Sequence, residues 1–350
     1  MAQRIASPPA DAQGAVPPLA GQACPPQTRS RYPYRRSYAA LDLGTNNCRM
    51  LIARPDGEGF FIVDAFSRIV RLGEGLGASG RLSDAAMDRA VSALSICADK
   101  LTRRNVHIAR SVATEACRRA TNGAEFADRV RNETGIRLDI IAAEEEARLA
   151  VIGCHTLIEE GDGPALVFDI GGGSTELVVV DTSGPAPRTL EWLSVPWGVV
   201  SLAETEAHDL RLLGDRLAAY ERMCERVRNA FGNFGATHQG GRRTLRLLGT
   251  SGTVTTLASV HLGLPSYDRR LIDGLIVPAH AMRGISAKLS KLSVSERAGL
   301  ACIGHERADL VVAGCAILDA ILDLWPAPRV GVADRGIREG ILRELMANDA

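Results

Sequence analysis

The chain has 350 residues, 46% hydrophobic and 23% charged, which suits two domains of ordinary size with sizeable cores. Equal counts of 41 basic and 41 acidic residues give zero formal net charge, which argues against a surface built to coat nucleic acid or anionic membrane. No apolar run reaches the ~18 residues of a membrane helix, and the eight scattered cysteines lack a Cys-x-x-Cys pair, so reduced thiols in a cytoplasmic setting are expected rather than a disulfide framework or a cysteine-built zinc site.

The zero is an average. Residues 1–37 carry Arg4, Arg29, Arg31, Arg35 and Arg36 against Asp11, a local +4 that leaves −4 for the remainder. They hold seven of the 16 prolines and no apolar periodicity, the composition of a disordered, solvated tail. The paired prolines break every candidate secretory core.

From Tyr38 the pattern is regular. An apolar strand ends at Asp42 and a glycine turn, and strands follow over Cys48–Ala53 and Phe60–Phe66. Ser83 caps a helix to Arg103, with Met87, Ala90, Val91, Leu94, Ala98 and Leu101 at the helical period. Strand Val106–Ala113, helix Ala124–Thr134 stopped by Gly135, strand Arg137–Ala142 and helix Glu144–Ile158 complete the first half. The second half restarts at Ala165 with strand, glycine turn and strand. A strand over Arg188–Val195, a helix over Leu210–Phe231, a strand over Thr244–Leu248 and a helix over Thr253–His261 come next. Helices Pro278–Leu289 and Arg307–Leu324, strand Arg329–Val332 and helix Arg335–Met346 finish the chain.

The two halves repeat at supersecondary scale. With an offset of 127, Asp169 falls on Asp42 and Gly171 on Gly44. A small-residue turn lets backbone N–H groups approach an anion closely. Thr45, Asn46 and Asn47 in the first turn, and Ser174 and Thr175 in the second, add side-chain donors. An aspartate at each strand end can hold a divalent cation directly or through water. Two such hairpins facing each other would make a phosphate clamp with a metal between them.

Asp42-Leu-Gly-Thr-Asn, Asp169-Ile-Gly-Gly-Gly-Ser-Thr-Glu176 and Gly249-Thr-Ser-Gly-Thr253 resemble the three phosphate and nucleotide loops of the actin, hexokinase and heat-shock-chaperone ATPase fold. Four further segments narrow the resemblance: Arg71-Leu-Gly-Glu-Gly-Leu76, Ala113-Thr-Glu-Ala-Cys-Arg118, Glu145-Glu-Ala-Arg148 and Asp334-Arg-Gly-Ile-Arg-Glu-Gly340. Over about 38–347 the chain resembles the exopolyphosphatase/guanosine pentaphosphate phosphohydrolase (Ppx/GppA) family. The resemblance implies an α/β fold of two ribonuclease-H-like lobes with the active site in the cleft between them. Lobe I would span 38–147 and lobe II 148–335, with a last helix at about 336–350 packing back on lobe I near the hinge.

The resemblance implies hydrolysis of the terminal phosphoanhydride of inorganic polyphosphate, or of the 5′ γ-phosphate of guanosine pentaphosphate. Glu146 falls on the family's catalytic glutamate, which activates or orients the attacking water, and Arg118 on an arginine that contacts the transferred phosphate. Asp169 and Glu176 fall on the Mg²⁺-associated acids, with Asp42 as their counterpart in lobe I and Mn²⁺ as the alternative ion. Gly44, Thr45, Asn46, Gly171, Gly172, Gly173, Ser174, Thr175, Ser251 and Gly252 would form the phosphate loops, with Arg71 either a second cationic contact or an ordinary surface arginine. Physical chemistry agrees that a cation is needed, because the folded body and its substrate are both negative. No nucleic-acid or membrane partner is expected, and family habit points to a homodimer.

Departures from the family pattern are Thr45 and Asn47 where serines are common, and Arg335-Gly336 where Gly-Ala is frequent. The extra arginine adds a cation near the cleft. Long members carry a C-terminal domain with an HD-type His-Asp motif. Here His208-Asp209 reads as a plain helix start and the chain stops at Ala350, so weaker processivity on long polymers is expected. Competing readings are a small-molecule kinase of the same fold and a non-catalytic sensor of guanosine tetraphosphate or polyphosphate. The acids Glu146, Asp169 and Glu176 favour hydrolysis, since a pure binder has no need of them.

Overall fold

The computed structural model describes residues 36–57, 59–184, 186–206, 211–236 and 245–349. The tail over 1–35 and the His208-Asp209 pair lie outside the described residues.

Lobe I is a five-stranded sheet. β1 (Tyr38–Leu43), β2 (Asn47–Asp56) and β3 (Gly59–Ile69) form an antiparallel meander. β4 (Ile108–Ala113) and β5 (Leu138–Ile140) add in parallel on the other side of β1, giving the order β3-β2-β1-β4-β5. β1 is buried on both faces, and its alternation divides it between two cores. Ala39, Leu41 and Leu43 face one core, which contains Ala90 and Leu94 of α2 (Asp84–Arg103) and Phe126 and Val130 of α4 (Gly123–Thr134). Tyr38 and Ala40 face the other. Ser83 caps α2 as expected, its hydroxyl accepting from the Ala86 N–H at 3.3 Å.

Lobe II repeats the plan. β6 (Ala165–Ile170), β7 (Thr175–Asp181) and β8 (Arg188–Val195) form the meander. β9 (Arg246–Thr250) and β11 (Arg329–Ala333) add in parallel, and β10 (Ile276–Pro278) extends the edge in the order β10-β11-β9-β6-β7-β8. Leu166, Phe168 and Ile170 enter the main core with Val227 and Phe231 of α7 (Leu213–Phe231), Leu257 of α8 (Ser251–His261), Met282 of α10 (Ala279–Leu289) and Ile317 of α12 (Val311–Leu324).

Two helices join the lobes. α5 (Ala143–Cys154) turns Ala147, Val151 and Cys154 toward Ala165, Val167 and Val178 of lobe II. Its Leu149 and Ala150 pack instead with Tyr38 and Ala40 of lobe I and with Ile341 and Leu342 of α13 (Ile337–Asn348). The final helix therefore returns to lobe I. The crossing of α5 and α13 is close: a Cβ at Gly153 would lie 2.0 Å from the Gly336 carbonyl oxygen.

Some elements differ from expectation. The α5 helix stops at Cys154, and a 3₁₀ turn over His155–Leu157 replaces its expected end. α12 starts at Val311 rather than Arg307, because the residues before it fold as turns in which Arg307 reaches back to the Thr256 hydroxyl at 2.9 Å. The strand expected over Thr244–Leu248 is displaced to Arg246–Thr250, with Thr244 outside the described residues. Short helices α1 (Leu76–Ser79), α3 (Glu115–Arg119), α6 (Val199–Ala203), α9 (Arg269–Ile272) and α11 (Val294–Ala298) were not foreseen, since four or five residues are too few for a helical period. The seven cysteines among the described residues are free, six of them buried, and no described helix is long and apolar enough to cross a membrane.

Candidate active site

The β1–β2 and β6–β7 turns close alike. The Gly44 N–H donates to the Asn47 carbonyl at 2.9 Å, and the Gly171 N–H to the Ser174 carbonyl at 3.0 Å. The turns meet between the lobes: a Cβ at Gly172 would stand 2.9 Å from Thr45 Cβ and 3.0 Å from the Asn46 nitrogen, so this position admits no side chain. Their meeting floors an open cleft of about 700 Å³. Asp42, Gly44, Thr45, Asn46, Glu146, Asp169, Gly171, Gly172, Gly173, Ser174 and Ser251 all line it, so the structure brings together most of the residues named from sequence.

Strand parity explains why the acids converge. Asp42 continues the Tyr38/Ala40 face of β1, Asp169 the Ala165/Val167 face of β6, and Glu176 the Val178/Val180 face of β7. All three faces are those covered by α5, whose first turn carries Glu146. Asp169 and Glu176 are direct cross-strand partners. Glu146 is 7% exposed and Glu176 2%.

Crowding acids raises their proton affinity. Burial and the neighbouring Glu176 push the Glu146 carboxyl well above its usual range, against the pull of Arg118. Burial and Asp42 lift Asp169 to about 6, and burial and Asp169 lift Glu176 to about 7. Burial also raises Asp42, against the attraction of Arg49 and Arg338. The Asp42 Oδ1 and Asn46 Oδ1 atoms are buried with no hydrogen-bond partner.

Arg118 stands behind Glu146 rather than in the cleft lining. Nη1 donates to Glu146 Oε2 at 3.1 Å and to the Ile141 carbonyl at 2.8 Å, and Nη2 to Glu115 Oε2 at 2.7 Å. Burial opposes its charge, but Glu146 and Glu115 outweigh burial and hold the guanidinium above its ordinary value.

Four residues named from sequence take other positions. Thr175 is fully buried and its hydroxyl donates to the Trp197 carbonyl at 2.7 Å, so its side chain serves the hairpin. Glu176 lies behind the lining and accepts from the Ser194 hydroxyl at 2.8 Å. Gly252 lies in a neighbouring pocket of about 520 Å³, which shares Asn46, Gly171 and Ser251 with the cleft. Arg71 crosses between the lobes, its Nη1 2.9 Å from Asp309 Oδ2.

Sequence reasoning missed Arg49, Thr114, Glu115, Thr250 and Arg338, all of which line the cleft. Arg49 is the register partner of Asp42 on β2, and burial with the nearby Arg338 lowers its proton affinity. An arginine inside an otherwise apolar strand, opposite the key aspartate, was the available signal. Arg335 lines the cleft as expected of an added cation, but its Nε is engaged by Asp273 at 2.7 Å.

A model of the Ppx/GppA phosphatase family matches residues 51–349. The chain belongs to this family. It is 32% identical over 316 residues to the guanosine-5′-triphosphate,3′-diphosphate pyrophosphatase of Aeromonas hydrophila, covering 89% of this chain and 60% of that one, so it spans about 60% of that relative's length. It is 28% identical over 315 residues to a Haemophilus influenzae protein with the provisional name exopolyphosphatase, covering 89% of this chain and 92% of that one. The crystal structure of the Aquifex aeolicus Ppx/GppA family member superposes with a TM-score of 0.73 at 26% identity, over 90% of this chain and 98% of that one. The fold is the two-lobed, actin-like ATPase fold of such proteins.

Proposed function

We propose that this chain hydrolyses the terminal phosphoanhydride of inorganic polyphosphate, or the 5′ γ-phosphate of guanosine pentaphosphate, with a divalent cation in the cleft. One observation carries the reading: a buried, proton-hungry Glu146 at the mouth of two facing glycine turns, with Asp42 and Asp169 beside it.

The terminal phosphate would sit on the N–H groups of the two turns, aided by Ser174 and Thr45. Arg49 and Arg338 oppose its charge from the lobe I and α13 sides. Glu146 would accept the proton of the attacking water, its proton affinity raised by burial and by Glu176. Arg118 orients Glu146 and favours its ionised form. The unpartnered Asp42 oxygen and the mutual elevation of the acids fit a missing positive charge. Among the described residues no three acid, histidine or cysteine side chains group closely enough to enclose an ion. Asp42 and Asp169 would therefore hold Mg²⁺ or Mn²⁺ with water and substrate oxygens, as Mg²⁺ commonly binds. The ion would offset charge on the phosphoryl oxygens during transfer.

The test is Glu146→Ala. Phosphate release should fall ~10²–10⁴-fold while polyphosphate still binds. Wild-type turnover would remove Glu146 as the base. Parallel assays on polyphosphate and guanosine pentaphosphate assign the substrate.

A further inference from the structure

Lobe II contains a second cavity, of about 460 Å³, between α6, α7, α11 and α12. Its floor is apolar: Ala219, Met223, Val312 and Ala313 line it and are buried. Arg297 of α11 also lines it and is only 7% exposed. A guanidinium this deep normally has a carboxylate partner, because removing its charge from water is costly. Arg297 has none. Among the described residues its hydrogen bond runs from Nε to the Ser293 carbonyl at 3.2 Å, which leaves Nη1 and Nη2 without a partner.

The carboxylates on the same rim are engaged elsewhere. Asp309 holds Arg71 of lobe I at 2.9 Å, and Glu206 holds Arg222 at 2.6 Å. Arg216, on the opposite wall, donates to the Lys291 and Arg211 carbonyls at 3.1 and 2.8 Å. Burial depresses the proton affinity of Arg297, opposed by Cys315 and by the nearby Asp309 carboxylate, with a smaller push from Arg216.

We infer that this cavity is a second binding site, for a small organic oxyanion whose head pairs with Arg297 and whose apolar body rests on the Ala219–Met223–Val312 floor. Small-molecule sites combine apolar walls with a few placed polar groups, and this cavity has both. A planar guanidinium with two open nitrogens suits a phosphate or carboxylate head. The site is separate from the interlobe cleft and does not rest on the reaction proposed for it. The two are nevertheless neighbours: Arg307, Leu310 and Val311 line the pocket beside the cleft, while Asp309, Val312 and Ala313 line this cavity. One turn of chain is the wall between them.

The probes are inorganic phosphate and phenyl phosphate, titrated calorimetrically into the full chain. Wild type should show two classes of site, with phenyl phosphate at least tenfold tighter than inorganic phosphate at one of them. Arg297→Gln should lose that class and keep the other, while Arg49→Gln should do the reverse. Identical isotherms for wild type and a folded Arg297→Gln would overturn the inference. Crystals of the unmodified protein soaked in tungstate give a measure independent of any variant. An anomalous peak within hydrogen-bond reach of Arg297 supports the site, and peaks confined to the interlobe cleft overturn it.

Discussion

Arg118 Nη1 lies 3.1 Å from Glu146 Oε2, and this bond brings a positive charge to the most crowded carboxylate of the cleft. Burial, Glu176, Asp42 and Asp169 all drive Glu146 toward its protonated form, with Arg118 opposing them. Replacing Arg118 with Met should raise the proton affinity of Glu146 further. The acid limb of the kcat–pH profile should then move upward by ~1 pH unit or more, with Arg118→Lys restoring part of it. An unshifted limb in Arg118→Met would separate Arg118 from the base.

The acids make the metal-free protein sensitive to pH. Asp169 at about 6 and Glu176 at about 7 both titrate above their ordinary values of 3.8 and 4.5. Between those limits the folded state binds more protons than the unfolded chain, so this contribution is complete at low pH and is lost as pH rises through 6 and 7. For Asp169 alone the loss is on the order of 3 kcal/mol. Urea melts with EDTA should show stability falling between about pH 4 and 6 relative to an Asp169→Asn variant. Added Mg²⁺ should flatten the fall, because it favours the ionised carboxylates. Parallel curves for the two proteins would contradict this account.

Arg49 faces Asp42 across the β1–β2 ladder and lines the cleft. Charge-assisted contacts to phosphate contribute ~1.5–3 kcal/mol, so Arg49→Gln should raise KM by ~10–100-fold. A KM within twofold of wild type would place the substrate out of its reach.

At the α5–α13 crossing, Gly153→Ala would press a methyl group against the Gly336 backbone, where the built atom lies 2.0 Å from oxygen. Separating the helices should cost ~1–3 kcal/mol, read as a lower urea midpoint. Because Gly336 itself lines the cleft, kcat should fall as well. Ala at the open position Gly214, which meets nothing within 4 Å, is the control.

The paired hairpins were legible in the sequence because each carries the same order of apolar strand, aspartate and glycine turn, and register then follows from the turn. The aspartates at positions 42 and 169 were legible for the same reason, whereas Glu146 stood out only through the family resemblance. Arg49 and Arg338 were not, because their role depends on which strand and which helix end meet in space. Thr175 was misread for a related cause: a turn hydroxyl looks like a donor to phosphate until its buried partner, the Trp197 carbonyl, is known. Arg71 looked like a cleft residue, yet the Asp309 that holds it lies far away in sequence, on the other lobe.

The return of α13 to lobe I has a consequence for how the protein comes into being. Ile341 and Leu342 complete the core around Tyr38 and Ala40 from the other end of the chain. A ribosome must add about 200 residues after β5 before they emerge, roughly 10–40 s of synthesis. During that interval the oldest sheet is present without its last helix, while the younger lobe already has its own covering helices. The half made first is therefore finished last, and its open apolar face is where a nascent chain of this family would need shelter.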